Sequence, residues 1–355
     1  MTSLSEPLNR VAASRFVAAS LLLTTALGAP LGFFSGSVQA REVEVKIVDN
    51  LSSELGFPIY TWAPETPPQA VIVAIHGATL HGRAYTKVAQ ELSRKGYAIF
   101  APDMRGFGSW YHDHTKEQDE TDFSHHVLYR QSEADLKALL GKVHDLYPGK
   151  PVFLMGESVG ANMAIKLLAG DPDCADGMIL SSPAIKQRYF FALSAVKQAL
   201  TVFFVNPAAQ LDVTPYLKSR VSDDKRITDE RVHDPLGRTK MNAGELWKTR
   251  WFNKECMKSL PALPEKISVL VLEGSDDKLF RADLIGEMMS QMPCQDKDLH
   301  MLKGKGHIHL ETAFLHDEVQ GIVENWLAEK SLKHAHKDTA KSIDANKTSS
   351  VGTMP

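Results

Sequence analysis

Cysteine is scarce in this chain of 355 residues. There are three, Cys174, Cys256 and Cys294, with no CxxC pair and no Cys/His spacing of the zinc-binding kind. That excludes a disulfide-framed scaffold and a structural zinc site. An oxidising compartment would permit one disulfide, and the sequence does not choose its pair. A surplus of positive charge is also missing: 40 Lys and Arg stand against 43 Asp and Glu, a net charge of −3. No basic stripe marks a nucleic-acid partner, and nothing in the charge draws the chain to an anionic surface. Neither composition nor spacing suggests a repeat array. With 43% hydrophobic and 23% charged residues, the bulk of the chain is that of an ordinary globular protein.

One long uncharged run is present, at the beginning. Arg10 and Arg15 precede Phe16 to Gly36, which is rich in Ala, Leu and Phe and ends in Ser37-Val38-Gln39-Ala40. A basic flank, an apolar stretch and small residues read as an export signal over residues 1–40, cleaved after Ala40. The expectation is a periplasmic or secreted protein. The alternative is a membrane anchor, which Gly28, Pro30 and Gly32 weaken by interrupting the run. At the other end, residues 331–355 lack an apolar period and are expected to be disordered.

Between these ends, short β-rich runs alternate with helical patterns. The expected strands are Val43–Val48, Pro58–Trp62, Val71–Ile75, Ala98–Ala101, Val152–Met155, Met178–Ser181, Ser268–Glu273 and Leu299–Leu302. The expected helices are Tyr85–Lys95, Gln131–Leu146, Ala161–Ala169, Phe280–Met292 and Glu311–Leu327. This alternation predicts an α/β fold: an eight-stranded, mostly parallel sheet with helices on both faces. It breaks once, from about residue 184 to 264. There an aromatic-rich stretch (Phe190, Phe191, Phe203, Phe204) is followed by a charged one without strand signals. We read this as a helical cap inserted after the sixth strand. The core is then 41–183 and 265–330.

The densest signal is Gly156-Glu157-Ser158-Val159-Gly160, which joins the apolar run Val152–Met155 to a helical stretch. Strand, Gly-x-Ser-x-Gly and helix, in that order, make a nucleophile elbow. Functional groups in an open parallel sheet gather beyond the carboxyl ends of its strands. The residues there are His76 to Gly82, Asp103 to Ser109, Gly274-Ser275-Asp276-Asp277 and Gly304-Lys305-Gly306-His307-Ile308-His309, so an acid and a histidine fall at strand ends beside Ser158. A serine hydroxyl needs a base, imidazole has the suitable pKa, and a buried carboxylate fixes its tautomer. Ser158, Asp277 and His307 supply the three in the chain order Ser, Asp, His.

With these pieces, the chain resembles the α/β-hydrolase superfamily, in the S33 serine aminopeptidase branch that includes monoacylglycerol lipases and lysophospholipases. The resemblance covers about Val43 to Lys330. It is carried by His76-Gly77-Ala78, Asp103-x-Arg105-Gly106-x-Gly108, the elbow, Ser181-Ser182-Pro183, Asp234-Pro235-Leu236, Gly274-Ser275-Asp276-Asp277 and Gly306-His307. It implies Ser158 as nucleophile, Asp277 rather than Asp276 as acid and His307 as base. It implies the backbone N–H groups of Ala78 and Val159 as the oxyanion hole, and it places His309 at a variable site. Phe107 departs from the pattern, which usually has His there.

The expected activity is hydrolysis of a carboxylic ester through an acyl-enzyme, without a cofactor. The substrate is a small acyl ester or lipid such as a monoacylglycerol or lysophospholipid, and contact with a membrane surface is left open. Alternatives are an amidase or aminopeptidase of the same fold, for which carboxylates of Glu117 to Asp122 could bind an amino group, and a non-catalytic binding protein. The stretch Trp110 to His126, with His112, His114, His125 and His126 among its acids, raises the idea of a metal site. Its loose spacing favours a solvated loop instead.

Overall fold

A computed structural model describes residues 49–114, 126–188 and 209–350. The elements run α1 (Asp49–Leu55), β1 (Ile59–Trp62), β2 (Ala70–Ile75), α2 (Thr86–Arg94), β3 (Tyr97–Pro102), α3 (Gly108–His114), α4 (Tyr129–Leu146), β4 (Val152–Glu157), α5 (Val159–Gly170) and β5 (Gly177–Ser181). They continue with β6 (Gln210–Asp212), α6 (Thr214–Arg220), α7 (Lys225–His233), β7 (Lys240–Asn242), α8 (Ala243–Met257), β8 (Ser268–Gly274), α9 (Ile285–Ser290), β9 (Asp296–Leu302) and α10 (Asp317–Ser350).

Seven strands form one sheet in the order β1-β3-β2-β4-β5-β8-β9. Only β1 runs antiparallel to its neighbour. The expected strand Val43–Val48 lies outside the described residues. The centre of the sheet is buried on both sides: every residue of β2, β4 and β8 is buried. This is why those segments read as continuous apolar runs rather than alternating ones.

Alternate side chains feed two cores. Val71, Val73 and Ile75 of β2 join Leu136, Leu139 and Leu140 of α4 and Ile165 and Leu168 of α5. Ile72 and Ala74 join Val88 and Leu92 of α2 and Val319, Val323 and Leu327 of α10. Each such buried aliphatic side chain contributes about 1.5–3 kcal/mol. Helices therefore cover both faces, as the alternation predicted. The β9 edge is different: of its residues only Leu302 is buried.

The segment between β5 and β8 carries α6, α7 and α8, and the helical reading was incomplete. Three-residue strands β6 and β7 pair antiparallel there. Strands this short show no alternation that a sequence could display. The aromatic run Phe190–Phe204 lies outside the described residues.

Helix boundaries also move. The helix expected over Phe280–Met292 is α9, Ile285–Ser290, because the Phe280 N–H is taken by the Asp277 carboxyl group. The final helix starts at Asp317, not Glu311, because the N–H groups of His309, Leu310 and Glu311 are taken by the Glu157 carboxyl group. It also runs past 330 to Ser350, so most of the tail expected to be disordered is helical. Lys330 and Lys333 anchor the passage by bonding Asp296 on β9. The three cysteines are free and buried, so the disulfide left open by the sequence is absent. Burial pushes the Cys174 thiol up to about 12.

Candidate active site

The elbow follows from close approach. A Cβ on Gly156 would sit 2.4 Å from the Gly160 carbonyl group, and one on Gly160 would sit 1.8 Å from the Ile75 oxygen. Neither position accepts a side chain while α5 leaves β4 this sharply. Ser158, at the corner, takes φ 56° and ψ −118°. That strained region is costly for a non-glycine residue and is held by its surroundings. Here the Ser158 N–H donates to the Ser181 oxygen at 2.9 Å, and the Asn162 N–H donates to the Ser158 oxygen at 3.3 Å. Ser158 stands at the N-terminus of α5, where the helix dipole favours negative charge.

Asp277 follows β8 and His307 follows β9. They meet: His307 Nδ1 lies 2.7 Å from Asp277 Oδ2. The other Asp277 oxygen accepts the N–H groups of Leu279 at 2.6 Å and Phe280 at 3.0 Å. Burial opposes both charges, but the partner outweighs it. Asp277 is held below the usual carboxylate range by His307, and His307 is held above the usual imidazole range by Asp277. Asp276 is exposed and reaches only the Ser275 hydroxyl. Of the two acids, Asp277 is the one that reaches the imidazole.

The histidine loop is seated against the elbow. Glu157, the residue before Ser158, accepts the N–H groups of His309 at 2.8 Å, Leu310 at 3.1 Å and Glu311 at 3.1 Å. From the inserted segment, the Val221 oxygen accepts the His307 N–H at 3.1 Å. Asp223 accepts the Gly306 N–H at 2.8 Å. Among the described residues, no hydrogen bond joins the Ser158 hydroxyl to the imidazole.

Ala78 lies three residues past the end of β2, and Val159 opens α5. Among the described residues, neither backbone N–H has a protein acceptor. Their strand end is locked by His76, whose Nδ1 donates to the Gly77 oxygen at 2.8 Å while Nε2 accepts the Met104 N–H at 2.9 Å. That pair of bonds uses a neutral ring, and burial pulls the His76 pKa down to about 3. Phe107, the departure from the family pattern, packs edge-on against His76 with centroids 5.6 Å apart. It fills core rather than site.

Several polar residues to which the sequence assigns no role organise this end of the sheet. Asp103 accepts the N–H groups of Gly82 at 2.7 Å and Ser109 at 2.8 Å and the Tyr60 hydroxyl at 3.1 Å. Arg238, from the inserted segment, donates from its backbone to the Thr79 oxygen and from its guanidinium to the Gly106 oxygen and to Glu245. His81 Nε2 lies 2.8 Å from Asp234 Oδ2. These contacts tie the insertion to the loops after β2 and β3. Arg238 and Glu245 belong to the charged part of the insertion, yet each is 1% exposed. His309 is buried with neither ring nitrogen bonded, and burial lowers its pKa to about 4.

Of the acid and histidine loop, residues 115–125 lie outside the described residues. The amino-group site at Glu117 to Asp122 therefore falls there, as do Glu117, Asp119, Glu120, Asp122 and His125 of the metal idea, while His112, Asp113, His114 and His126 are among the described residues. Among the described residues, no group of three potential ligands clusters.

A family model described as "Serine aminopeptidase, S33" matches residues 66–312. The monoglyceride lipase of Rattus norvegicus is 30% identical over 274 residues, covering 76% of this chain and 86% of its own. The monoacylglycerol lipase of Mycolicibacterium smegmatis is 24% identical over 247 residues, covering 69% and 84%. A solved structure of a soluble variant of the monoglyceride lipase of Saccharomyces cerevisiae superposes with a TM-score of 0.62 at 19% identity, covering 78% and 92%. A serine on a strained elbow, a buried Asp–His pair beside it and a family model that spans most of the chain agree: this protein belongs to the S33 serine aminopeptidase family of α/β-hydrolases.

Proposed function

We propose that the chain hydrolyses carboxylic esters with Ser158 as nucleophile, His307 as general base and Asp277 as the acid that orients it. Ser158 Oγ attacks the acyl carbonyl as its proton passes to His307 Nε2. The N–H groups of Ala78 and Val159 receive the oxyanion. The alcohol leaves with the proton from His307, and water then releases the acid from Ser158 by the same route. The observation that carries this reading is the 2.7 Å Asp277–His307 contact on a loop seated against the strained Ser158 elbow. The names of the relatives support a monoacylglycerol-like substrate, with lysophospholipids the neighbouring class. On the sequence pattern of residues 1–40, we further propose that the protein is exported, with a membrane anchor as the competing outcome.

A panel of p-nitrophenyl esters of rising chain length, run beside aminoacyl-nitroanilides and a monoacylglycerol, tests the reading. Ester and monoacylglycerol turnover that is abolished in Ser158→Ala supports it. Turnover of the nitroanilides alone would make the chain an aminopeptidase.

A further inference from the structure

Behind the elbow, two carboxyl groups share a site without exposure. Glu157 precedes Ser158 and Glu311 follows His307 by four residues; both are 0% exposed. Glu157 is already well supplied with donors. Its Oε1 accepts the Ser181 hydroxyl at 2.6 Å and the N–H groups of His309 and Leu310, and its Oε2 accepts the Glu311 N–H. Glu311 is placed differently. Its Oε1 accepts the Gly77 N–H at 2.9 Å, and its Oε2 meets no donor. That Oε2 would lie 3.1 Å from a Cβ on Gly77, a position that is also 3.4 Å from the Ser158 Cβ.

An ionised oxygen without a donor is costly in a dry site. A hydroxyl in its place can donate to Glu157, where Oε2 has accepted only one bond. Two carboxylates in one such site cannot both hold their charge. Resting on the hydrolase reading above, we infer that Glu311 is a positioning residue that works as a neutral acid. Its O–H binds Glu157 behind the nucleophile while its other oxygen holds the Gly77 N–H, one peptide before Ala78. A single proton thereby links the elbow, the oxyanion strand and the histidine loop.

The surroundings are consistent with this. Burial first, and the Glu157 charge second, drive the Glu311 carboxyl well above the usual range. The other ionisable groups around the pair are Tyr85, whose hydroxyl donates to the Ile75 oxygen, Arg231 and Glu230 from α7, and His307 and His309 from the same loop. Loss of the proton would put a negative charge beside the strand that must receive an oxyanion.

The test uses Glu311→Gln and Glu311→Ala in the full chain. The readouts are kcat and KM for a p-nitrophenyl ester across pH, labelling of Ser158 by a fluorophosphonate, and thermal unfolding. Glutamine offers the same acceptor and donor without a charge. It should keep kcat near the wild-type value and extend activity to higher pH. Alanine should lower kcat by about ten- to a hundredfold with little change in KM, since it leaves the Gly77 N–H without a partner. A glutamine variant as impaired as the alanine one, or an alanine variant with normal kcat, overturns the inference.

If Glu311→Gln does not fold, the infrared spectrum of the wild-type protein decides. Burial pushes another carboxyl group, Glu273, up to about 8; at a pH well above that, a neutral buried carboxyl band should remain, and its absence overturns the inference. A wild-type protein that neither reacts with the probe nor hydrolyses esters would overturn the hydrolase reading instead. The infrared band alone would then decide the carboxyl pairing.

Discussion

Glu273 lies buried beside Asp277, near the end of β8 and four residues before the acid that holds His307. Its two carboxyl oxygens meet no donor among the described residues. Burial, and then the Asp277 charge, push its pKa up to about 8. A neutral Glu273 can donate to Asp277, and an ionised one repels it.

This relationship gives a stability that depends on pH with a definite sign. Unfolding releases Glu273 to its ordinary carboxylate pKa, so between that value and about 8 the folded state holds a proton that the unfolded state has lost. Its contribution is fully present below the ordinary carboxylate range and is lost as pH rises through about 8. Glu273→Gln should flatten the decline of Tm across that window. Calorimetric scans of both proteins from pH 5 to about 9 measure it; parallel curves would show that Glu273 is not neutral in the fold.

The raised pKa of His307 predicts where activity fails in acid. The imidazole must be neutral to accept the Ser158 proton, so kcat/KM should fall as pH drops through a value above the ordinary histidine range. A pH–rate profile of the wild-type protein checks this. An acidic limb below that range would mean that Asp277 does not hold the charged imidazole as the geometry requires.

Asp277 and Asp276 are neighbours with unequal consequences. Asp277→Asn should lower kcat by roughly 10⁴-fold, because the amide favours the wrong imidazole tautomer. Asp276→Asn, on the exposed side of the same turn, should leave kcat near the wild-type value. Steady-state kinetics on the two variants separate them, and equal losses would assign the acid wrongly.

The inserted segment is fastened by a buried ion pair, Arg238 to Glu245 at 2.7 Å. Arg238→Ala would strand the Glu245 carboxylate in the interior, a loss of about 3–5 kcal/mol. Denaturant unfolding should register that loss. A change below about 1 kcal/mol would place the pair among weak surface bridges.

Much of this was legible in the sequence because the relevant physics is local. The continuous apolar runs Val71–Ile75 and Val152–Met155 announced central strands, and Gly156 and Gly160 announced an elbow that only glycines permit. Asp277 and His307 could be found because strand ends place them. The buried carboxyls were not legible. Glu157 was noted only as the x of a motif, and Glu311 looked like the start of a helix. Their roles come from backbone N–H groups more than 150 positions away, and no local pattern encodes such partners. Arg238 escaped because it reaches the Gly106 oxygen, 132 positions away, and Asp234 was quoted only as part of the resemblance, its partner His81 lying 153 positions away. The short strands β6 and β7 escaped because three residues carry too little pattern to read.

The most direct measurement is peptide mapping after reaction of the full chain with a fluorophosphonate. One covalent adduct on the peptide that carries Ser158, lost together with ester turnover in Ser158→Ala, is the expected result. An adduct on another residue, or ester turnover that survives in Ser158→Ala, would contradict it.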